Sequence, residues 1–324
     1  MERFNHLSVM ADEVVDNLIT DRSGVYVDCT LGGGGHSLKI SQQLNDNALI
    51  IGIDQDIEAI NAAKIRLNDV KCQVKIIHNN FSQINEILDE CNIDKVDGIL
   101  FDLGVSSHQI DTAERGFSYM QNAPLDMRMD TSKNFTAYNV VNEYAEENLY
   151  KIFHEYGEER FSKRIAKKIV ETRKIKKIVT TQELVNIVFE ATPRIKSNIH
   201  PATRIFQAIR IEVNQELNNI KNTLNEVLSL LSCGAIISVV TFHSLEDRIV
   251  KNYFRNLGKQ CVCPPEFASC KCGGTPCAEL LTRKPVEPTA EEVKINSPSR
   301  SAKLRVVRKL RDANEMRLYG VEAM

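Results

Sequence analysis

Tyr26-Val27-Asp28-Cys29-Thr30-Leu31-Gly32-Gly33-Gly34-Gly35-His36-Ser37 decides the fold. A β-rich run, Val25–Thr30, leads into four glycines, and Ser37–Leu44 continues as a helix. Strand, glycine turn and helix in that order let the backbone approach a ligand closely and present the N–H groups of a helix start. The alternation continues downstream. Ala48–Asp54 is a second apolar run ending on an acid, followed by a helix through Ile57, Ile60, Ala63 and Leu67. Val74–Ile77 is a third strand, with His78–Phe81 beyond it, and Val96–Leu103 a fourth that carries Asp102 near its end. Strands alternating with helices predict an α/β, Rossmann-like parallel sheet covered on both faces, with ligands at the carboxyl ends of the strands.

Past residue 110 the alternation stops. No convincing strand occurs between Asp111 and Arg204, whereas Thr136–Phe153, Glu158–Ile175 and Thr181–Glu190 have helical patterns. Thr180 and Glu183 form a capping-box signature before the last of these. Arg204–Leu231 keeps one apolar face through Ile205, Ile209, Val213, Leu217, Ile220, Leu224 and Val227, so it is expected to be one long helix stopped by Gly234. Ala235–Phe242 resumes as a buried strand. Ser244 and Asp247 are expected to cap a helix over Leu245–Leu257, ended by Gly258. A Cys/Pro-rich loop and a short basic strand, Ala302–Leu310, follow. The expected organisation is a sheet domain in two parts, 1–110 and 211–324, interrupted by an all-helical insertion, 111–210.

The 324 residues are 43% hydrophobic and 26% charged, enough for a sizeable core. Lys+Arg 41 against Asp+Glu 43 leaves a net charge of −2, which excludes a protein basic all over but not a local basic patch. No apolar run approaches the ~18–20 residues of a membrane span. Residues 1–17 carry Glu2, Asp12, Glu13 and Asp16 without the apolar core of a secretory signal. Nine cysteines in such a chain are expected to be reduced thiols or metal ligands rather than disulfides. A cytoplasmic location follows as an expectation.

Asp54 lies 19 residues after Gly35, near the spacing at which a carboxylate meets a ribose hydroxyl in a nucleotide fold. NAD would suit that spacing, but the G-x-G-x-x-G fingerprint is broken: counted from Gly32, its third glycine position holds Ser37. Acids at Asp28, Asp54 and Asp102 suit a cationic cofactor without phosphates better than a pyrophosphate. S-adenosylmethionine, with a sulfonium, an ammonium and two ribose hydroxyls, has that chemistry. A glycine run alone is equally compatible with a flexible turn. Its strand context favours a methyl-transfer site.

Several longer motifs carry a resemblance. Besides the opening stretch these are Phe101-Asp102-Leu103-Gly104-Val105-Ser106-Ser107, Arg115-Gly116-Phe117-Ser118, Pro124-Leu125-Asp126-Met127-Arg128-Met129-Asp130 and Pro201-Ala202-Thr203-Arg204. Thr241-Phe242-His243-Ser244-Leu245-Glu246-Asp247-Arg248 and Ser299-Arg300-Ser301-Ala302-Lys303-Leu304-Arg305 complete the set. Together they resemble the RsmH (MraW) family of bacterial 16S rRNA methyltransferases, from His6 to about Val307. The departures are slight: the turn has an extra glycine, and Ile205 stands where Thr is usual. The resemblance implies a class I S-adenosylmethionine-dependent methyltransferase sheet with an inserted helical domain. It implies methylation of the exocyclic N4 of cytosine 1402 of 16S rRNA, in the decoding centre of the small ribosomal subunit. Carried over to this sequence, the family's cofactor contacts are Gly34, Gly35, His36, Asp54, Phe81, Asp102 and Gln109. In that reading the glycines and His36 let the backbone close over the methionine end, Asp54 accepts the ribose hydroxyls, and Phe81 faces adenine.

A cytosine amine is a poor nucleophile because its lone pair is delocalised into the ring, so the site must orient it and accept a hydrogen bond from it. Asp102 is the candidate acceptor, with a pure cofactor contact as the alternative. DNA amino-methyltransferases carry prolines and an aromatic after the fourth strand, and here Leu103–Ser107 has neither. Phe117 or Tyr119 could stack on an extruded base, although packing of the insertion accounts for them as well. His243 follows the fifth strand and is expected to line the site, unless it merely precedes a cap. For RNA, Arg160–Lys177 holds nine Lys/Arg and one acid, with Lys163, Arg164, Lys167 and Lys168 as candidate phosphate contacts. Arg300, Lys303, Arg305, Arg308, Lys309 and Arg311 form a second basic strip near the C-terminus, with Arg300, Lys303 and Arg305 as its candidate RNA contacts. Met127 and Met129 sit among charges in a possible substrate-facing loop. Cys261, Cys263, Cys270 and Cys272 could hold zinc, but the spacing is C-x-C and the resemblance brings no metal, so reduced thiols are the default reading. A homodimer is possible. A non-catalytic RNA-binding assembly factor is the reading outside enzymology.

Overall fold

A computed structural model of the chain describes residues 7–193, 200–263 and 265–313. In chain order the elements begin α1 (Ala11–Leu18), β1 (Val25–Asp28), α2 (Gly35–Ser41), β2 (Leu49–Asp54), α3 (Ile57–Arg66), β3 (Gln73–His78), α4 (Ile84–Glu90) and β4 (Val96–Asp102). Helices follow: α5 (Ser107–Asp111), α6 (Ala137–Glu143), α7 (Glu146–Glu155), α8 (Ser162–Ile175), α9 (Thr181–Ala191), α10 (Ala202–Asn214) and α11 (Glu216–Leu230). The chain then returns to the sheet with β5 (Leu231–Thr241), α12 (Ser244–Gly258), β6 (Ala278–Leu280), α13 (Ala290–Ile295) and β7 (Lys303–Lys309).

All seven strands form one sheet in the order β3-β2-β1-β4-β5-β7-β6. The five from β3 to β5 pair in parallel, and β7 pairs antiparallel with both β5 and β6. This is the class I, Rossmann-like arrangement expected from the motifs. Its central strands read as near-continuous Val/Ile/Leu because helices cover both faces, and Ile50, Ile51 and Ile53 of β2 are fully buried. Strand order reverses beside β1, which has β2 on one side and β4 on the other, so a ligand crevice belongs at the carboxyl ends of these three strands.

The chain divides into two compact units, Met1–Gly104 with Leu217–Met324, and Val105–Glu216. These cuts lie six residues outside the expected 111 and 210 at each end. The first unit has its core on the sheet, around Tyr26, Leu100, Ile236 and Val240. The second has a helical core in which Leu149, Ile152 and Phe153 of α7 meet Ile165, Ala166 and Ile169 of α8. Among its described residues no strand is formed, only a single bridge between Pro124 and Thr180. Met127 and Met129 are 0% and 6% exposed within this core, so they pack the insertion rather than face a substrate.

Three expected elements change. Thr136–Phe153 is two helices, because Tyr144 is extended and Arg173 of α8 donates to the carbonyls of Val141 and Tyr144 that end α6. Arg204–Leu231 breaks at Gln215, whose φ of 52° lies in the left-handed region, even though the apolar spacing runs on across it. Gly234 stops no helix. It lies inside β5 at φ 88°, where Leu231 to Ile236 spans the same stretch of β4 as Val96 to Gly98, and a bulge of this kind takes a glycine readily. Among the described residues no helix is long and apolar enough to cross a membrane.

Candidate active site

The glycine turn is braced by the acids of two neighbouring strands. At the end of β1, Asp28 is 1% exposed; one of its oxygens accepts the Ser37 hydroxyl at 2.7 Å and the other the Thr30 N–H at 3.2 Å. This ties the first turn of α2 to the strand. Burial pushes the Asp28 carboxyl up, against the opposing pull of His36 and the Ser37 hydroxyl. At the end of β2, Asp54 accepts N–H bonds from Gly32 at 2.7 Å and Asp56 at 2.8 Å. Gly32 reaches that bond at φ 51°, where a side chain would be strained, and a Cβ there would meet only Thr30 O at 3.9 Å. The space beside Gly32 is open, whereas a Cβ at Gly34 would press on Ala63 and Leu67 at 3.3 Å. At Gly35 a Cβ would meet the Ser8 hydroxyl, which would have to turn away to admit it.

Asp102 ends β4, with its N–H donated to the Thr30 hydroxyl at 2.6 Å. Its Oδ2 lies 3.5 Å from Nδ1 of His36, and the two side chains are 19% and 5% exposed. The other His36 nitrogen, Nε2, lies 3.0 Å from Val9 O. A carbonyl only accepts, so Nε2 carries the hydrogen and Nδ1 faces the carboxyl. Nδ1 and the carboxyl are thus brought face to face at the edge of the sheet. Oδ1 of Asp102 is buried and has no hydrogen-bond partner among the described residues. Burial raises this carboxyl to about 6, with His36 pulling down and the negative charges of Asp28 and Glu246 pushing up. Burial likewise raises Asp54 to about 6, against its two N–H bonds. Buried acids whose proton affinities approach neutrality gather where chemistry is done.

The other residues expected from the sequence are placed as follows. Gly34, at φ 76°, is the N-cap of α2, and Gly35 and His36 begin that helix. Phe81 follows β3, half-buried and edge-on to Phe101 with centroids 5.6 Å apart. Gln109 belongs to the helical unit, where its Oε1 accepts the Ser106 N–H at 3.1 Å and closes the capping box of α5. Tyr119 stacks on His200 at 4.5 Å and Phe117 is core, so packing explains both.

His243 calls for a correction. It is itself the N-cap of α12, paired with Glu246 in a capping box, whereas Ser244 and Asp247 were the expected pair. Nδ1 faces the Glu246 N–H at 3.5 Å, and Nε2 sits 3.1 Å from Glu246 Oε1 without hydrogen-bond alignment. Both ring nitrogens thus face Glu246, and Nε2 is buried without a hydrogen-bond partner among the described residues. Asp247 instead holds Arg305 at 2.7 and 3.2 Å. Burial alone would raise this carboxyl, but Arg305 holds it below its ordinary range.

That pair also corrects the second basic strip. Arg305 is 7% and Lys309 4% exposed; Lys303 shares Asp247 at 3.7 Å, and Lys309 donates to Leu231 O. Arg305 and Lys309 are thus spent inside the sheet unit, while Lys303 and Arg308 are part-exposed beside acids and Arg300 and Arg311 are exposed. On α8 the division is as expected: Ile165 and Ile169 are buried, while Lys163, Arg164 and Lys167 are exposed. Lys167 and Lys168 pair with Glu171 and Glu190 at 3.8 and 2.8 Å. Cys261, Cys263, Cys270 and Cys272 converge, with all four Sγ atoms within 4.8 Å of one another. Sequence reasoning underrated Asp28 and Thr30, the two groups that pin the turn. Their signal was their place on either side of Cys29, directly before the glycines.

Residues 3–310 match the model of the MraW methylase family. The chain is 55% identical over 308 residues to the ribosomal RNA small subunit methyltransferase H of Clostridium botulinum (strain Loch Maree), covering 95% of this chain and 99% of the relative. The protein of the same name from Clostridioides difficile is 52% identical over 310 residues, covering 95% and 99%. That from Caldicellulosiruptor bescii is 50% identical over 307 residues, covering 95% and 100%.

Proposed function

The chain belongs to the MraW methylase family, and from that premise we propose that it methylates 16S rRNA of the small ribosomal subunit, at the exocyclic N4 of cytosine 1402, with S-adenosylmethionine as donor. The residues at the sheet edge fit this cofactor. The glycine turn, open beside Gly32, admits its methionine end. Asp54, with both oxygens already oriented by backbone N–H groups, retains lone pairs for ribose hydroxyls. The half-buried Phe81 offers a face to adenine. When bound, S-adenosylmethionine supplies an electrophilic methyl on sulfur.

The observation that carries the reading is the buried, unpartnered Oδ1 of Asp102. An acceptor in that state is satisfied by a donor brought in by a ligand. A cytosine amine is such a donor: accepting one of its hydrogens pushes electron density back onto N4 as the nitrogen–methyl bond forms. The amine proton lost in the reaction has a nearby acceptor in the Asp102–His36 pair. His36 is a positioning residue, fixed by Val9 O and holding the carboxyl in one orientation. In the helical unit, the exposed cations of α8 supply phosphate contacts. Such an enzyme works in the cytoplasm, where subunits are assembled.

The test is methyl transfer from labelled S-adenosylmethionine to small subunits lacking the modification, with the product nucleotide mapped by mass spectrometry. The expected product is N4-methylcytidine at position 1402, and subunits with uridine there stay unlabelled. Label on any other nucleotide overturns the assignment.

A further inference from the structure

We propose that Cys261, Cys263, Cys270 and Cys272 bind a structural zinc ion in the loop between α12 and β6. The loop runs from residue 259 to 277, and its described residues form no helix or strand. Connections of that length are uncommon in compact units unless something organises them. No apolar core does so here: Phe267, its one large hydrophobic ring, is 45% exposed. At its end the loop is tethered by the Cys277 N–H to Leu257 O at 2.8 Å and by Arg311 on Pro276 O at 3.1 Å.

The four sulfurs fill the gap with metal-like geometry. Cys261–Cys270 is 3.7 Å, Cys263–Cys270 4.0 Å, Cys270–Cys272 3.5 Å and Cys261–Cys272 3.6 Å. A tetrahedron with Zn–S bonds of ~2.3 Å has S···S edges of about 3.8 Å. A disulfide would bring two sulfurs to ~2.05 Å, and none of these pairs approaches that. Each C-x-C pair also serves the other's sulfur. Lys271 and Cys272 donate backbone N–H bonds to Cys263 Sγ at 3.2 and 3.3 Å, and Val262 donates to Cys272 Sγ at 3.3 Å. Such donors spread the negative charge of metal-bound thiolates and orient them. Gly273 and Gly274, at φ 86° and 62°, reverse the chain immediately after the last ligand, a path that other residues rarely follow.

The spacing hides the site from a motif search, because C-x-C is not the usual knuckle. Two short pairs facing each other need no C-x-x-C turn, since residues two apart in a non-helical backbone project to the same side. Four thiolates select a soft, tetrahedral ion and leave no open position, so the metal is structural rather than catalytic. The proposal is independent of the methyl-transfer reading, because it concerns only how this loop is held.

The full-length chain, purified reduced and without chelator from zinc-supplemented cells, is expected to carry about one zinc per chain by mass-spectrometric metal analysis. The Cys261→Ser/Cys270→Ser double variant should lose at least tenfold of that zinc, and Cys233→Ser should keep it. Replacement by Co²⁺ in the unaltered chain should give the absorption of a tetrahedral tetrathiolate, a readout independent of whether the double variant folds. Bound zinc should also shield these four thiols from alkylation until a chelator is added. Absence of zinc and of cobalt uptake, full zinc retention in the double variant, iron in place of zinc, or disulfides among these cysteines in the native protein would each overturn the proposal.

Discussion

Replacing Asp102 with asparagine is expected to stabilise the cofactor-free chain at pH 8 while disabling methyl transfer. Burial lifts this carboxyl from its ordinary 3.8 to about 6. The folded chain therefore binds the proton more tightly than the unfolded chain, and the ionised form costs stability. Each unit is worth about 1.4 kcal/mol, so the cost is about 3 kcal/mol above pH 6, roughly half that at pH 5 and little below pH 4. Asparagine removes the charge but keeps the shape. Its amide can donate to Nδ1 of His36, which is free to accept because the ring's hydrogen is on Nε2 toward Val9 O. The pull of His36 is already contained in that value, and imperfect repacking of the amide leaves about 1–3 kcal/mol at pH 8. In a chain of this size that is a rise in Tm of roughly 1.5–4.5 °C. The assay is thermal or urea unfolding of parent and variant at pH 8, 5 and 4, with Asp54 titrating alike in both. In single turnover with saturating cofactor and subunits, the rate should fall about 10²-fold, the scale of a positioned acid–base group. A variant less stable than the parent at pH 8, or a stability difference that ignores pH, refutes the electrostatic reasoning. Full recovery of rate at saturation leaves Asp102 as a cofactor contact only.

Asp54→Ala should weaken S-adenosylmethionine binding by about 1.5–3 kcal/mol by calorimetry, and it should also loosen the Gly32 turn that this carboxylate braces. Because ribose donors favour the ionised form of an acid raised to about 6, cofactor affinity should be level above pH 7 and fall as pH drops through 6; an affinity indifferent to pH removes Asp54 from the site. Reversing Lys163, Lys167 and Lys168 to Glu should reduce the slope of log affinity for RNA against log salt by about 2. Lys163→Glu with Arg164→Glu should do more per charge, since Lys167 and Lys168 already have acidic partners, and an unchanged slope returns α8 to being a solvated face. Arg305→Ala should cost about 3–5 kcal/mol in urea unfolding, the scale of breaking a buried ion pair, with little change in salt slope; a large change in salt slope would restore Arg305 to the RNA-binding set.

The sheet was legible because its signals are local. A parallel strand buried on both faces is a continuous apolar run, and β2 and β4 announce themselves that way. The capping box of Thr180 and Glu183 was legible for the same reason, as both partners lie within one turn. Helix ends decided by distant groups were not. The break after α6 depends on Arg173, some thirty residues further on, and the break at Gln215 interrupts a perfectly regular apolar face. Charge was the least legible property. Arg305 and Arg308 look alike as letters, yet Arg305 is buried on Asp247 while Arg308 pairs with Glu279 at the surface.

The sequence by itself therefore determined the strand–helix alternation, the glycine turn, the acids at the strand ends and the basic face of α8, all of which follow from periodicity and residue chemistry within a few positions. Only the tertiary structure decided what those groups do. It tied Asp28 to the first turn of α2, joined His36 to Asp102 across 66 residues, placed His243 at the cap of α12 and drew two C-x-C pairs into one cluster of sulfurs. The physical reason is that proton affinity, hydrogen-bond satisfaction and metal geometry depend on which groups lie within about 4 Å in a medium that excludes water. Chain spacing does not encode that distance; packing sets it.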